Sequence, residues 1–220
     1  MAPILIGVVP FGLIAGIAAV EAGLGTLQAY SLSPIVFAGA SQLAMIGLIA
    51  TDAAPFVIVG TAWVINSRMA MYSAALAPEF RRLGPVRKGL AAYLLTDQAF
   101  AVSIVRFARR NESLNERFSF YMGAACSLWI VWQLSSIIGV IVGTGIPESW
   151  SLDFAIPLVF IALLFPTITD RGGAVAAVAA ATAAVLFFSL PLNLGLLAAT
   201  GVGLIAGIFG SAGSRGREAK

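Results

Sequence analysis

Histidine is absent from the 220 residues, cysteine occurs once, and charged side chains make up only 10%. Without imidazole the chain lacks the usual proton carrier near neutral pH and the commonest transition-metal ligand. The single Cys126 sits in an apolar stretch, which excludes an intrachain disulfide and a cysteine-rich metal site. No P-loop or other nucleotide-binding motif occurs. A membrane-embedded enzyme needs a nucleophile with a base, or a metal cluster, and the scattered carboxylates supply neither. No basic region precedes "MAPILIGVVPFGLIAGIAAV" and no small-residue cleavage site closes it, so the first segment reads as a span and not as a signal peptide. No cofactor or metal is expected.

Hydrocarbon-loving residues fill the space that charge leaves. They form 60% of the chain, the mean hydropathy is +0.97, and apolar runs near the ~20-residue spanning length recur from end to end. The fold class is therefore all-α, a polytopic membrane protein of about 7–8 transmembrane helices, some of them broken near the midplane. The apolar segments fall near 3–20, 33–50, 55–77, 90–107, 118–143, 153–169, 174–190 and 193–210. Residues 1–210 make one transmembrane domain, and 211–220, "SAGSRGREAK", is a flexible polar tail.

The net charge of +3 collects in short joints and speaks first of topology. "PEFRRLGPVRKG" and "RRNESLNER" flank the fourth segment. If that segment crosses, the two basic joints lie on opposite sides, and Arg171 with the tail places the Arg109 side and both termini in the cytoplasm. If it is re-entrant, both joints lie inside and the count becomes seven. Weak internal symmetry pairs 1–107 with 118–210: "SLSPIVFAGA" and "SLDFAIPLVFIA" match Pro34 with Pro157 and Phe37 with Phe160. Accidental matching in a small alphabet is the alternative explanation.

Polar residues interrupt each of the first four segments: "VPFG" at Pro10 and Gly12, "GASQ" at Gly39, Ser41 and Gln42, "NSR" at Asn66 and Arg68, and "TDQ" at Thr96 and Asp97. Proline and glycine are places where a helix can break and offer free amides or carbonyls to a solute; taken alone, close helix contact or a simple kink is the plainer explanation. Arg68 and Asp97 fall at matching depth, and charges there are costly unless paired or hydrated, which makes them candidates for function. A permanent structural pair is the competing explanation. Gln133 reads as a helix-to-helix hydrogen bond, and Trp129, Trp132 and Trp150 as packing or interfacial anchors.

At these residues the chain resembles a known family. "PFGLIAG", "FAGASQLA", "NSRMAMYSAAL" and "LLTDQAF", in that order, are similar to the signatures of the AzlC branched-chain amino-acid permeases. The resemblance implies an inner-membrane exporter of leucine, isoleucine, valine and analogues, working with a small AzlD-type membrane subunit. Gln98 stands where many relatives carry a second acidic residue, which weakens any proton-carrying carboxylate pair, and the chain begins abruptly where relatives carry an N-terminal extension. A zwitterion needs donors for its carboxylate, acceptors for its ammonium and an apolar pocket. Arg68 with freed amides near Gly39–Ser41 would hold the carboxylate, Asp97 with Thr96 the ammonium, and Asp97 would couple export to an ion gradient. A companion helix would dock on the small-residue face "GGAVAAVAAATAAV". The alternative function is a passive channel or scaffold subunit whose selectivity belongs to a partner. The residues leave a higher oligomer open.

Overall fold

Backbone amides and carbonyls that enter hydrocarbon must be paired within their own segment, so helix is the expected answer to a sequence this apolar. The computed structural model describes residues 2–110, 112–145, 168, 170–188, 190 and 194–218. Helices account for nearly all of them: α1 (Ala2–Glu21), α2 (Thr26–Val36), α3 (Gly39–Ala50), α4 (Pro55–Asn66), α5 (Arg68–Leu76), α6 (Pro85–Tyr93), α7 (Asp97–Arg109), α8 (Leu114–Gly143), α9 (Arg171–Leu186) and α10 (Gly195–Glu218). Two of them, Pro3–Glu21 and Leu114–Gly143, are long and apolar enough to cross a membrane unaided.

These two long helices form the frame, and glycine is what lets them meet. A Cβ on Gly16 would lie 2.3 Å from the Ser136 carbonyl oxygen, and one on Gly139 would lie 2.2 Å from that of Leu13. Each helix carries glycines four residues apart, Gly12 with Gly16 and Gly139 with Gly143, and backbone meets backbone where they cross. Gly12 faces Ser135, Gly16 faces Val140 and Gly143 faces Ile17, so α1 and α8 run in the same direction. Of the two readings of Pro10, the break does not occur. α1 continues through it, because a proline removes one helical hydrogen bond while close contact with α8 holds the turns on either side.

The 33–50 segment, expected to pass straight through the membrane, instead folds back, and so does the 90–107 segment, for which the sequence leaves crossing and re-entry both open. In a continuous helix Ser33 and Gln42 would lie ~13.5 Å apart along the axis, yet Gln42 Nε2 donates to Ser33 Oγ at 3.0 Å. Ala29 and Ile46 close the same pair further out, sharing a cluster with Ala18 and Val140. The 33–50 segment is thus the second half of a hairpin, α2–α3, which opens toward the Gly143 end of α8. The 90–107 segment belongs to another, α6–α7. On its way in, Arg87 donates to Asn115 Oδ1 at 3.3 Å, and the Tyr121 hydroxyl donates to the Ala91 carbonyl at 2.7 Å. On its way out, Arg106 lies 4.1 Å from the centre of the Phe120 ring and pairs with Glu112 at 2.6 Å. Both ends of α6–α7 therefore sit at the Leu114 end of α8.

The basic joints before α6 and after α7 consequently share one end of the molecule, as the re-entrant reading of the fourth segment requires. An edge-to-face cluster at that end packs Phe80 against Phe107, Phe118 and Tyr121. α9 and α10 form an antiparallel pair, with Gly203 against Ala180, Gly207 against Ala176 and Gly210 against Val175. One side of the small-residue face expected to receive a companion helix is thus taken by α10 of the same chain, while Val178, Ala181 and Val185 on the same helix stay exposed. Small residues on both helices explain why: the nearest partner of the right shape follows in sequence. Of the suggested repeat, Pro157 and Phe160 lie outside the described residues.

Candidate functional site

The hairpin tips come together. Phe37 takes a left-handed conformation at φ 36 to end α2, Ala38 is extended, and α3 begins afresh at Gly39. Opposite, Thr96 is extended at φ −137 and caps α7, its hydroxyl oxygen accepting from the Ala99 amide at 3.3 Å. Tyr93, ending α6, donates its hydroxyl to the Pro34 carbonyl at 2.8 Å and accepts from Trp129 Nε1 at 3.1 Å. One tyrosine thus ties both tips to α8. The third interruption is Ser67, between α4 and α5, whose hydroxyl donates to the Val64 carbonyl at 2.7 Å. Arg68 follows as the first residue of α5.

A cavity of about 720 Å³ lies between these tips. Gly39, Arg68, Thr96 and Asp97 line it, joined by Gln98, Met69 and Tyr72 and closed by Phe11, Phe37, Leu128 and Trp132. Arg68 Nη1 stands 3.0 Å from Asp97 Oδ2, with the two side chains 31% and 36% exposed. Tyr72 stacks on Phe100 at 4.5 Å and places its hydroxyl beside the Asp97 carboxylate. Hydrogen-bonding capacity is left over: Arg68 Nε, Asp97 Oδ1 and Trp132 Nε1 are buried without partners among the described residues. The first amides of α3 and α7 also have no acceptor within their own helices, so two positive helix ends face this space.

The other expected site residues stand behind the lining. Gly12 serves the contact between α1 and α8, and Pro10 lies on the exposed side of α1. Ser41 donates to the Ala38 carbonyl at 3.0 Å, closing the first turn of α3. Gln42 holds the hairpin through Ser33, and its Oε1 has no partner among the described residues. Asn66 ends α4 with a buried Oδ1 that has no partner among the described residues. Sequence reasoning missed Tyr72 and assigned Trp132 to packing. Trp132 does both, because its ring edge lies where a Cβ on Gly39 would come within 2.8 Å, while its indole N–H has no partner among the described residues.

Such a site can hold a small solute carrying both charges. It offers a guanidinium, an indole N–H and helix amides to an anion, a carboxylate and hydroxyls to a cation, and aromatic and aliphatic walls to the remainder. Among the described residues no three His, Cys, Asp or Glu side chains gather as a metal site would need.

The family model described as "AzlC protein" matches residues 3–146, the part that contains both hairpins and the cavity. The chain is similar to the inner membrane protein YgaZ of Escherichia coli, 27% identical over 86% of this chain and 80% of the relative. It is also similar to uncharacterized membrane proteins of Archaeoglobus fulgidus, 31% identical over 93% of this chain and 85% of the relative, and of Helicobacter pylori, 25% identical over 73% and 69%. No solved structure matches.

Proposed function

Since this chain belongs to the AzlC family of membrane transporters, we propose that it is the large subunit of a secondary exporter of branched-chain amino acids. The observation that carries the reading is the Arg68–Asp97 pair, which lies inside the cavity with unused hydrogen-bonding atoms on both partners. An amino acid entering there competes with the pair for itself. Its carboxylate replaces Asp97 at Arg68 and meets Trp132 Nε1 and the amides at Gly39, and its ammonium replaces Arg68 at Asp97 with Thr96 and Tyr72 close by. Phe11, Phe37, Met69 and Leu128 receive a branched aliphatic side chain. Asp97 is the group through which an ion gradient drives export, and a small AzlD-type subunit completes the transporter.

The arrangement of helices supports a transport topology. α1, α4–α5, α8, α9 and α10 cross the bilayer, while α2–α3 and α6–α7 enter halfway from opposite sides. Residues 2–50 and 55–109 then form two units of one design, a crossing element followed by a re-entrant hairpin, pointing in opposite directions. This unit differs from the 1–107 and 118–210 pairing suggested by the sequence. The basic joints favour a cytoplasmic position for the Leu114 end of α8, and with it for the starts of α1 and α9.

The test is a double neutral change, Arg68→Gln with Asp97→Asn, in the full chain co-expressed with its companion and reconstituted into liposomes. Folded yield should recover relative to either single variant, while leucine counterflow and binding stay lost. Recovered leucine export would make the pair purely structural and overturn the reading.

A further inference from the structure

We infer that the cleft beside the start of α8 binds the phosphate of an acidic phospholipid, with Arg81 and Arg82 as the cations that hold it. The cleft has a volume of about 600 Å³ and lies between the α5–α6 joint and the first turn of α8. Its carboxylates are already engaged: Glu79 pairs with Arg117, and Glu112 pairs with Arg106 at 2.6 Å and approaches Arg110 at 4.0 Å. The Arg106 hydrogen bond also holds the Glu112 carboxyl below the usual carboxylate range. Arg81 and Arg82 line the same space, are exposed, and have no carboxylate among the described residues. Arg117 adds a buried Nε without a partner among the described residues.

Two free guanidiniums over a polar cleft match a phosphodiester, whose oxygens accept forked hydrogen bonds. Depth selects a lipid over a soluble anion. α5 ends at Leu76 and α8 begins at Leu114, so the cleft lies where helices leave the hydrocarbon, at the level of the headgroups. Pro78 and Leu114 in its wall suit the glycerol portion. The re-entrant α6–α7 hairpin brings a second basic joint to this end and raises the local positive potential.

The test uses the full chain in mild detergent, with native mass spectrometry reading one-to-one adducts of phosphatidylglycerol against phosphatidylcholine. Phosphatidylglycerol should be retained preferentially, and Arg81→Gln with Arg82→Gln should weaken that retention roughly thirtyfold. Lys88→Gln with Arg109→Gln removes equal charge from the same end without touching the cleft, so it lowers only the general surface potential and should lose far less of the lipid than the cleft variant. Thermal unfolding in phosphatidylcholine alone checks that both double variants fold. Equal retention of the two lipids, equal loss in both double variants, or displacement of the lipid by millimolar inorganic phosphate would overturn the assignment.

Discussion

Arg68 and Asp97 are each about a third exposed, which sets what neutralising one of them costs. Breaking a sealed pair costs about 3–5 kcal/mol, whereas an exposed one contributes about 0–1 kcal/mol; partial access to a wet cavity places this pair between the two. The tighter constraint lies at Gly39, where a Cβ would come within 2.8 Å of Cη2 and 3.2 Å of Cζ3 of Trp132. Gly39→Ala should push that ring into the cavity at an overpacking cost of about 1–3 kcal/mol, weakening leucine binding about tenfold or more with little loss of folded yield. Equilibrium binding to detergent-purified protein measures it, and unchanged affinity would separate Trp132 from the site. The value of Gly39 was legible in the sequence as a glycine near a helix break. That the crowding partner is Trp132 was not, since 93 positions separate them and nothing local to a tryptophan distinguishes a ring that packs from one that also lines a cavity.

Among the elements, α1 and α8 depend most on small side chains. Gly16 meets Ser136, Gly139 and Val140 at backbone distance, so Gly16→Leu must drive the helices apart, whereas Gly7→Leu meets open space. The first should lower the unfolding temperature by several degrees and reduce yield, the second should do neither; equal behaviour of the two would show that α1 does not dock as described. The hairpins were the elements least legible in the sequence. α2 with α3, and α6 with α7, each total roughly the length of one span, so a hydropathy window cannot tell a run that crosses from one that enters and returns. Gln28, Tyr30 and Ser31 read as part of a joint, although they lie within α2. What the sequence does show is that small or polar residues interrupt the apolar runs at Gly39, Ser67 and Thr96; of these only the Gly39 region reads as a helix break, and the ends at Ser67 and Thr96 come from the structure.

For the whole molecule, the proposed topology puts both basic joints in one compartment. Cysteines placed at Gly84 and Arg110 should both be labelled by an impermeant thiol reagent from the cytoplasm, and cysteines at Gly23 and Asp52 from the other side, in a background with Cys126 replaced. Labelling of 84 and 110 from opposite faces would exclude a re-entrant α6–α7. The same hairpins impose an order on biosynthesis. Backbone that leaves helical geometry at membrane depth is tolerated only where protein covers it, and the turn at Phe37 and Ala38 is covered by Trp132, made 93 residues after Gly39. At ~5–20 residues per second the first hairpin waits ~5–19 s for its lid. Until α8 arrives it has no stable place in lipid, so a nascent chain stalled before residue 114 is a substrate for membrane quality control, and the translocon or an insertase must shelter the unfinished hairpin in the interval.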